Sequence, residues 1–131
     1  MTGPVVPSPL EGQPLESLPL GGQPYEGLPL GGLLRGLDHV GLAVPDLEQA
    51  IAFHTQVLGL ALLHREDNPD QDVVEAMLGF PAGRAATQVQ LVAPLSAESV
   101  IARFLERRGP GLHHLAYGVA DVDQAADALR G

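Results

Sequence analysis

The sequence predicts an α+β domain of paired β-α-β-β-β modules, the second module incomplete. Three observations predict it. A strand pattern followed by a helix start occurs twice, as Leu37-Asp38-His39-Val40-Gly41-Leu42-Ala43-Val44 and Leu112-His113-His114-Leu115-Ala116-Tyr117-Gly118-Val119. The offset is 75 residues throughout and runs on through Asp46/Asp121, Gln49/Gln124 and Ala50/Ala125. Between the copies lie three more apolar runs of strand length, bounded by turn residues. Residues 1 to about 33 differ from all of this, holding most of the prolines and many of the glycines.

In chain order, residues 1–33 read as a low-complexity tail with near-repeats such as Gly12-Gln13-Pro14-Leu15-Glu16 and Gly22-Gln23-Pro24-Tyr25-Glu26. Prolines every few residues remove backbone donors and bar helix and central strand, so the tail is expected to be flexible or polyproline-like. It reads either as a dispensable extension or as a docking segment, although no PxxP pattern with a flanking basic residue is present. The domain is expected over 34–131, with the first module at about 36–94. A first strand ends at Val44, and a helix opens at Asp46 with Gln49 three residues on, a variant of the capping box. Leu47, Ala50, Ile51, His54 and Leu58 fall at helical spacing, and Gly59 is the stop. Leu60–His64, Asp72–Leu78 and Thr87–Ala93 read as strands, the first two separated by the turn-prone Glu66-Asp67-Asn68-Pro69-Asp70. A linker helix at about 96–109 follows, capped by Ser96. Its apolar stripe is Val100, Ile101, Phe104 and Leu105, its negative end carries Arg107 and Arg108, and Gly109-Pro110 terminates it. The second module starts at 111 and runs to 131. By the logic of the repeat, three of its strands are absent.

With 131 residues the chain is one domain in size, and 45% hydrophobic composition suffices for a core if most of it takes part. Sixteen acidic residues against seven basic ones give net charge −9, and every base is arginine. No polybasic stripe exists to neutralise phosphates along a duplex, so no nucleic-acid partner is expected. The absence of cysteine rules out disulfides and thiolate zinc sites. His, Asp, Glu and Gln are left as metal ligands, a set that suits one divalent ion among cobalt, manganese, nickel, zinc and magnesium. Neither a membrane span nor a signal peptide is seen, so no membrane partner and a cytoplasmic location are expected.

Strand side chains alternate between faces, so Val40, Leu42 and Val44 share one face and His39 lies on the other. Gly41 and Ala43 follow His39 there, as Ala116 and Gly118 follow His114, which twice sets an imidazole beside free space. A single strand histidine is more often a hydrogen-bonded rim or core residue. Two at equivalent register in a pseudo-symmetric repeat point to a shared metal site, because a pseudo-twofold axis brings equivalent positions together. Gln88 and Gln90 lie opposite Val89 and Leu91. They read as a solvated outer face by themselves; beside the histidine strands, Gln90 becomes a third ligand through its amide oxygen. His113 has the parity of Leu115 and Tyr117 and is assigned to packing or to a supporting hydrogen bond. His54 and His64 are assigned to structure. Glu75, between Val74 and Ala76, is either an exposed edge-strand residue or an enclosed carboxylate of raised pKa, the kind that serves as a general base.

At these residues the sequence resembles the methylmalonyl-CoA epimerases of the vicinal oxygen chelate (glyoxalase/bleomycin-resistance-like) superfamily, from about Leu37 to Gly131. The resemblance is carried by Leu-Asp-His-Val-Gly-Leu-Ala-Val from Leu37, His-Arg-Glu-Asp-Asn-Pro-Asp-Gln-Asp-Val-Val-Glu from His64, Thr-Gln-Val-Gln-Leu-Val-Ala-Pro-Leu-Ser from Thr87 and Gly-Leu-His-His-Leu-Ala-Tyr from Gly111. It implies paired βαβββ modules around one divalent metal, held by His39, Gln90 and His114, with Glu75 as one of two acid/base carboxylates. The implied reaction interconverts (2R)- and (2S)-methylmalonyl-CoA in propionate metabolism, by α-proton abstraction through a metal-stabilised enolate. The implied substrate is an acyl-CoA thioester, and a homodimer is expected. In the family a further glutamate, both metal ligand and second acid/base, comes from the last strand of the second module, expected beyond Gly131. Asp121, Asp123 and Asp127 read as a helix cap and an exposed helix face and do not replace it. Two other readings stay open: a glyoxalase I-like lyase or dioxygenase of the same superfamily, and a non-catalytic fragment or binding protein.

Overall fold

The computed structural model describes residues 27–83 and 86–130; the expectation for the proline-rich tail falls largely outside them. The chain divides into two compact units, Leu34–Ala120 and Met1–Leu33 with Asp121–Gly131. The first holds the whole sheet. Its elements are β1 (Leu34–Ala43), α1 (Leu47–Ala52), β2 (Ala61–Asn68), β3 (Val73–Gly79), β4 (Gln88–Pro94), α2 (Val100–Arg108) and β5 (Gly111–Val119). In the second unit the described residues form a turn at 27–33 and α3 (Val122–Arg130), where the Asp121 carboxylate accepts from the Gln124 amide at 2.9 Å. Asp121 is thus the expected cap, and Asp127 pairs with Arg130 at 2.7 Å. Among the described residues no helix is long and apolar enough to cross a membrane.

The five strands lie in the order β2-β3-β4-β1-β5. β1 runs parallel to β4 and antiparallel to β5, and the other pairings are antiparallel. The β-α-β-β-β reading of the first module therefore holds, and the copied strand of the second module sits beside β1. This is an α+β fold with one strand of the second module added to the first.

Alternation gives the sheet two unlike faces. On one, Val74, Ala76, Leu78, Leu91 and Ala93 are buried under Leu47 of α1, with Leu42, Val44, Ala50 and Ile51 packed around them. Leu78 and Leu91 are fully buried, each contributing ~1.5–3 kcal/mol of transfer free energy. The Asp46 carboxylate accepts from the Gln49 amide at 3.1 Å, as the capping pattern predicts. After Ala52 the helix widens over Phe53–Val57. There the His54 Nδ1 donates to the Ala50 carbonyl at 2.7 Å and Thr55 Oγ1 to the Ile51 carbonyl at 2.9 Å, side-chain bonds that compete with the backbone ladder. His54 is structural, as expected, and Gly59 ends the element at φ 78°.

Among the described residues the other face is covered at one end, where Ile101 of α2 is buried against Ala43, Val73 and Val92, with Phe104 and Leu105 beside it. Two expectations need correction here. The cap of α2 is Ser99, which accepts from the Ile101 amide at 3.1 Å, and not Ser96. Ser96 instead donates to the Asp72 carboxylate, a partner 24 residues away. The turn expected over Glu66–Asp70 begins later, because Glu66, Asp67 and Asn68 pair with Glu75, Val74 and Val73 and so extend β2. Cross-strand hydrogen bonds outweigh the turn preference of Asp and Asn. The chain then reverses at Pro69–Asp72, with Asp72 in the left-handed region at φ 57°.

Candidate metal centre

The partly covered face holds a cavity of about 370 Å³ whose wall includes His39, Glu75, Gln90, His113 and His114. Register places them. Gly41 on β1, the strand between β4 and β5, is paired with Gln90 on one side and with His114 on the other. His39 lies two residues along the same face of β1, and Glu75, paired with Val92, is a diagonal neighbour of Gln90. The four residues singled out in the sequence thus share one cavity wall.

The two imidazoles meet edge to face, with His39 Nε2 and His114 Nε2 at 3.3 Å. The other nitrogen of each ring is engaged as well. His39 Nδ1 lies 2.8 Å from Asp38 Oδ2, and because an ionised carboxylate can only accept, Nδ1 carries the proton. In the tautomer with its proton on Nδ1, the lone pair of His39 lies at Nε2. His114 Nδ1 lies 2.8 Å from His113 Nδ1. With that contact donated by His114, a second lone pair faces the first. Two nitrogens held by one ion at ~2.1 Å and angles of about 100° stand ~3.2 Å apart. The observed separation matches that spacing, so with both protons on Nδ1 the two lone pairs are placed to hold one cation.

Gln90 supplies the next donor. Its Nε2 donates to Glu75 Oε2 at 3.1 Å, which fixes the orientation of the amide and turns Oε1 away from the carboxylate. Oε1 is buried and has no hydrogen-bond partner among the described residues. An orphaned acceptor costs ~1–3 kcal/mol unless something takes up its lone pair. Among the described residues no group of three His, Cys, Asp or Glu side chains is arranged to hold a metal ion; the donor set is two imidazoles with an amide oxygen. That set suits borderline divalent ions such as cobalt, nickel, zinc and manganese.

Two features escaped the sequence pattern. A Cβ built on Gly41 would strike the His114 ring, at 2.5 Å from both Nδ1 and Nε2 and against Cε1. The space that the small-residue pattern left beside His39 is therefore occupied by the second imidazole. The pairing of β1 with β5 also slips between Gly41/His114 and Leu42/Leu112, which leaves His113 as an extra residue in a β-bulge. Strict alternation would send His113 to the other face; the bulge turns it onto the cavity wall, where it bonds His114 and meets Phe104 edge-on at 4.9 Å. A supporting hydrogen bond was one of its two expected roles. His64, by contrast, is exposed on β2, 3.5 Å from Glu66.

Burial disfavours the charged form of both titratable groups at the centre. It holds the Glu75 carboxyl above its ordinary value, reinforced by the hydrogen bond and charge of Glu66 and opposed by the Gln90 amide and His64. It lowers His114, aided by His113 and His39. A carboxyl of raised pKa beside two imidazoles and an amide oxygen is of the kind that takes and returns a proton.

Comparison with known proteins identifies the family. The family model of the Glyoxalase/Bleomycin resistance protein/Dioxygenase superfamily matches residues 38–131. An ethylmalonyl-CoA/methylmalonyl-CoA epimerase of Cereibacter sphaeroides is 39% identical over 95 residues, 72% of this chain and 68% of that protein. The crystal structure of methylmalonyl-CoA epimerase from Mycobacterium tuberculosis superposes with a TM-score of 0.70 at 50% identity, over 75% of this chain and 64% of that one. A methylmalonyl-CoA epimerase solved in complex with methylmalonyl-CoA and ammonium gives 0.68 at 36% identity, over 74% of this chain and 69% of that one. The present chain thus spans about two thirds of the length of these relatives, and 64% of the M. tuberculosis chain. In fold, in sequence and in structural likeness, the chain belongs to the Glyoxalase/Bleomycin resistance protein/Dioxygenase superfamily, the vicinal oxygen chelate proteins, within the group of the methylmalonyl-CoA epimerases, an isomerase family.

Proposed function

We propose that this domain holds one divalent ion through His39 Nε2, His114 Nε2 and Gln90 Oε1, and that it acts on the α-carbon of an acyl-CoA thioester, methylmalonyl-CoA. The observation that carries the reading is the meeting of two imidazole nitrogens at 3.3 Å beside an orphaned amide oxygen and a carboxyl of raised pKa. The relatives that are methylmalonyl-CoA epimerases, one of them solved with its acyl-CoA, support the choice of substrate. An ion bound there would supply positive charge opposite the thioester oxygen as it gains negative charge.

The chain's own residues do the rest. Asp38 and His113 hold the two rings in the tautomers that leave Nε2 free. Gln90 ties the base to the ion's ligands, since its Nε2 bonds Glu75 while its Oε1 faces away. Glu75, the one carboxylate among the described residues lining the cavity, removes the α-proton and gives it back on one face. A homodimer and a cytoplasmic setting belong to the same reading. So does the boundary of the domain at residue 34.

Incubating each epimer of methylmalonyl-CoA in D₂O with cobalt-loaded protein tests this, with deuterium incorporation followed by mass spectrometry. Metal-dependent exchange of one epimer, lost in Glu75→Gln, is the expected result. With one carboxylate lining the cavity among the described residues, inversion should lag behind exchange by ~10²–10⁴-fold, the contribution of a positioned acid/base group. Exchange in neither epimer, or exchange indifferent to Glu75→Gln, would overturn the assignment.

A further inference from the structure

A second cavity, of about 420 Å³, adjoins the first: Val100 and His113 line both. Its remaining lining is Arg103, Phe104, Arg107 and Arg108. These positions recur at the three- and four-residue steps of one helical face, so α2 turns Ile101 and Leu105 into the core and this arginine face toward the cavity. Three of the seven arginines of a chain with net charge −9 fall within these six residues. No carboxylate lines the cavity among the described residues. Arg103 donates from Nη2 to the Glu98 carbonyl at 2.9 Å. Among the described residues none of the three forms an ion pair, whereas Arg65 pairs with Glu48 and Arg130 with Asp127. Glu106 is the one carboxylate within α2.

Arginines in the last turn of a helix ordinarily do no more than offset the negative end of its dipole. Arg107 and Arg108 serve that end, but the dipole explains neither the third arginine one turn earlier nor the concave surface the three share. A concave arginine cluster suits an anion with several oxygens, because guanidinium groups donate paired hydrogen bonds to phosphate. We propose that Arg107 and Arg108, with Arg103, bind the phosphate groups at the nucleotide end of a CoA thioester whose acyl end occupies the cavity of His39, Gln90 and His114. The proposal rests on the acyl-CoA reading above and adds where the anionic end is held. His113 lies between the two subsites, in contact with His114 on one side and Phe104 on the other. The pantetheine arm would pass it and Val100.

Calorimetric titration of the cobalt-loaded full chain with methylmalonyl-CoA, and with methylmalonyl-pantetheine as the probe that lacks the phosphates, tests this. The wild type should bind the CoA thioester more tightly than the pantetheine thioester, and higher salt should erode the difference. Arg107→Gln/Arg108→Gln should weaken the CoA thioester on the order of 10- to 100-fold, as loss of charge-assisted bonds requires. The same variant should leave binding of the pantetheine thioester and metal stoichiometry unchanged, and should lower the melting temperature only slightly, as loss of two charges at the negative end of a helix does. Arg107→Lys/Arg108→Lys should recover part of the loss, and Arg35→Gln, an exposed arginine on β1, should lose nothing. Equal binding of the two thioesters by the wild type, or wild-type binding of the CoA thioester by the double glutamine variant, would overturn the arginine site and leave the acyl-CoA reading standing. Failure of the wild type to bind either thioester would overturn that reading and this proposal together.

Discussion

Replacing Gly41 by alanine adds one methyl group to the centre of the sheet, and its effect follows from a single geometric fact. The new Cβ would stand 2.5 Å from Nδ1 and Nε2 of the His114 ring. Ordinary contact is ~3.5 Å and Cε1 lies nearer still, so the ring must withdraw by more than about 1 Å. Metal ligands tolerate errors of only ~0.2 Å, and the withdrawal exceeds that several-fold. It also takes His114 out of the 2.8 Å contact with His113 and away from His39. If the ring stays, overpacking costs ~1–3 kcal/mol of stability; if it swings out, a ligand is lost. Gly41→Ala should therefore lower cobalt affinity by at least ~10-fold, close to the loss in His114→Ala. The two changes should not add: in Gly41→Ala/His114→Ala the second substitution should cost no further affinity and should relieve the overpacking. Competition of the variants with a chelator for cobalt, together with melting curves, gives the cycle. Wild-type cobalt affinity in Gly41→Ala, or additive losses in the double variant, would refute the placement of the ring.

Asp38→Asn should reduce cobalt affinity by ~10–100-fold, less than His39→Ala does, because it disturbs the tautomer of His39 and removes no donor; unchanged metal content in His39→Ala would rule the site out. Protonation of His114 gives a pH dependence of definite sign. The folded state lowers its pKa below the ordinary 6.5, chiefly by burial, so the stability it contributes is present above that value and is lost as pH falls toward the folded-state pKa. The melting temperature of metal-free protein should fall as pH drops below about 6.5, and fall less in His114→Gln; superimposable profiles would contradict this. Deleting residues 1–33 should change stability by less than about 1 kcal/mol and leave cobalt affinity intact, and loss of folding would move the domain boundary.

Much of the site was legible in the sequence for a local reason. Alternation along a strand depends only on neighbouring residues. Parity within Gln88–Leu91 was therefore enough to set Gln90 opposite Val89 and Leu91, which pack or bury on the α1 side of the sheet. The Asp46 cap is equally local, since donor and acceptor lie three residues apart. Ser96 was misread for the opposite reason: its carboxylate partner comes from the turn before β3, and that proximity exists only once the sheet has formed.

The 75-residue repeat by itself determined that His39 and His114 stand at equivalent registers of equivalent strands. Tertiary structure decided what those registers do. Pairing of β1 with β4 and β5 brings residues from three distant parts of the chain to either side of Gly41, and no local rule specifies which residues of separate strands come opposite one another. The slip beside His114 is of the same kind. It breaks the parity that assigned His113 to the other face and hands it to the ring it supports. The glycine that reads as empty space in the sequence is in the fold the place where the second imidazole lies, because a side chain from the neighbouring strand fills whatever a missing Cβ leaves open.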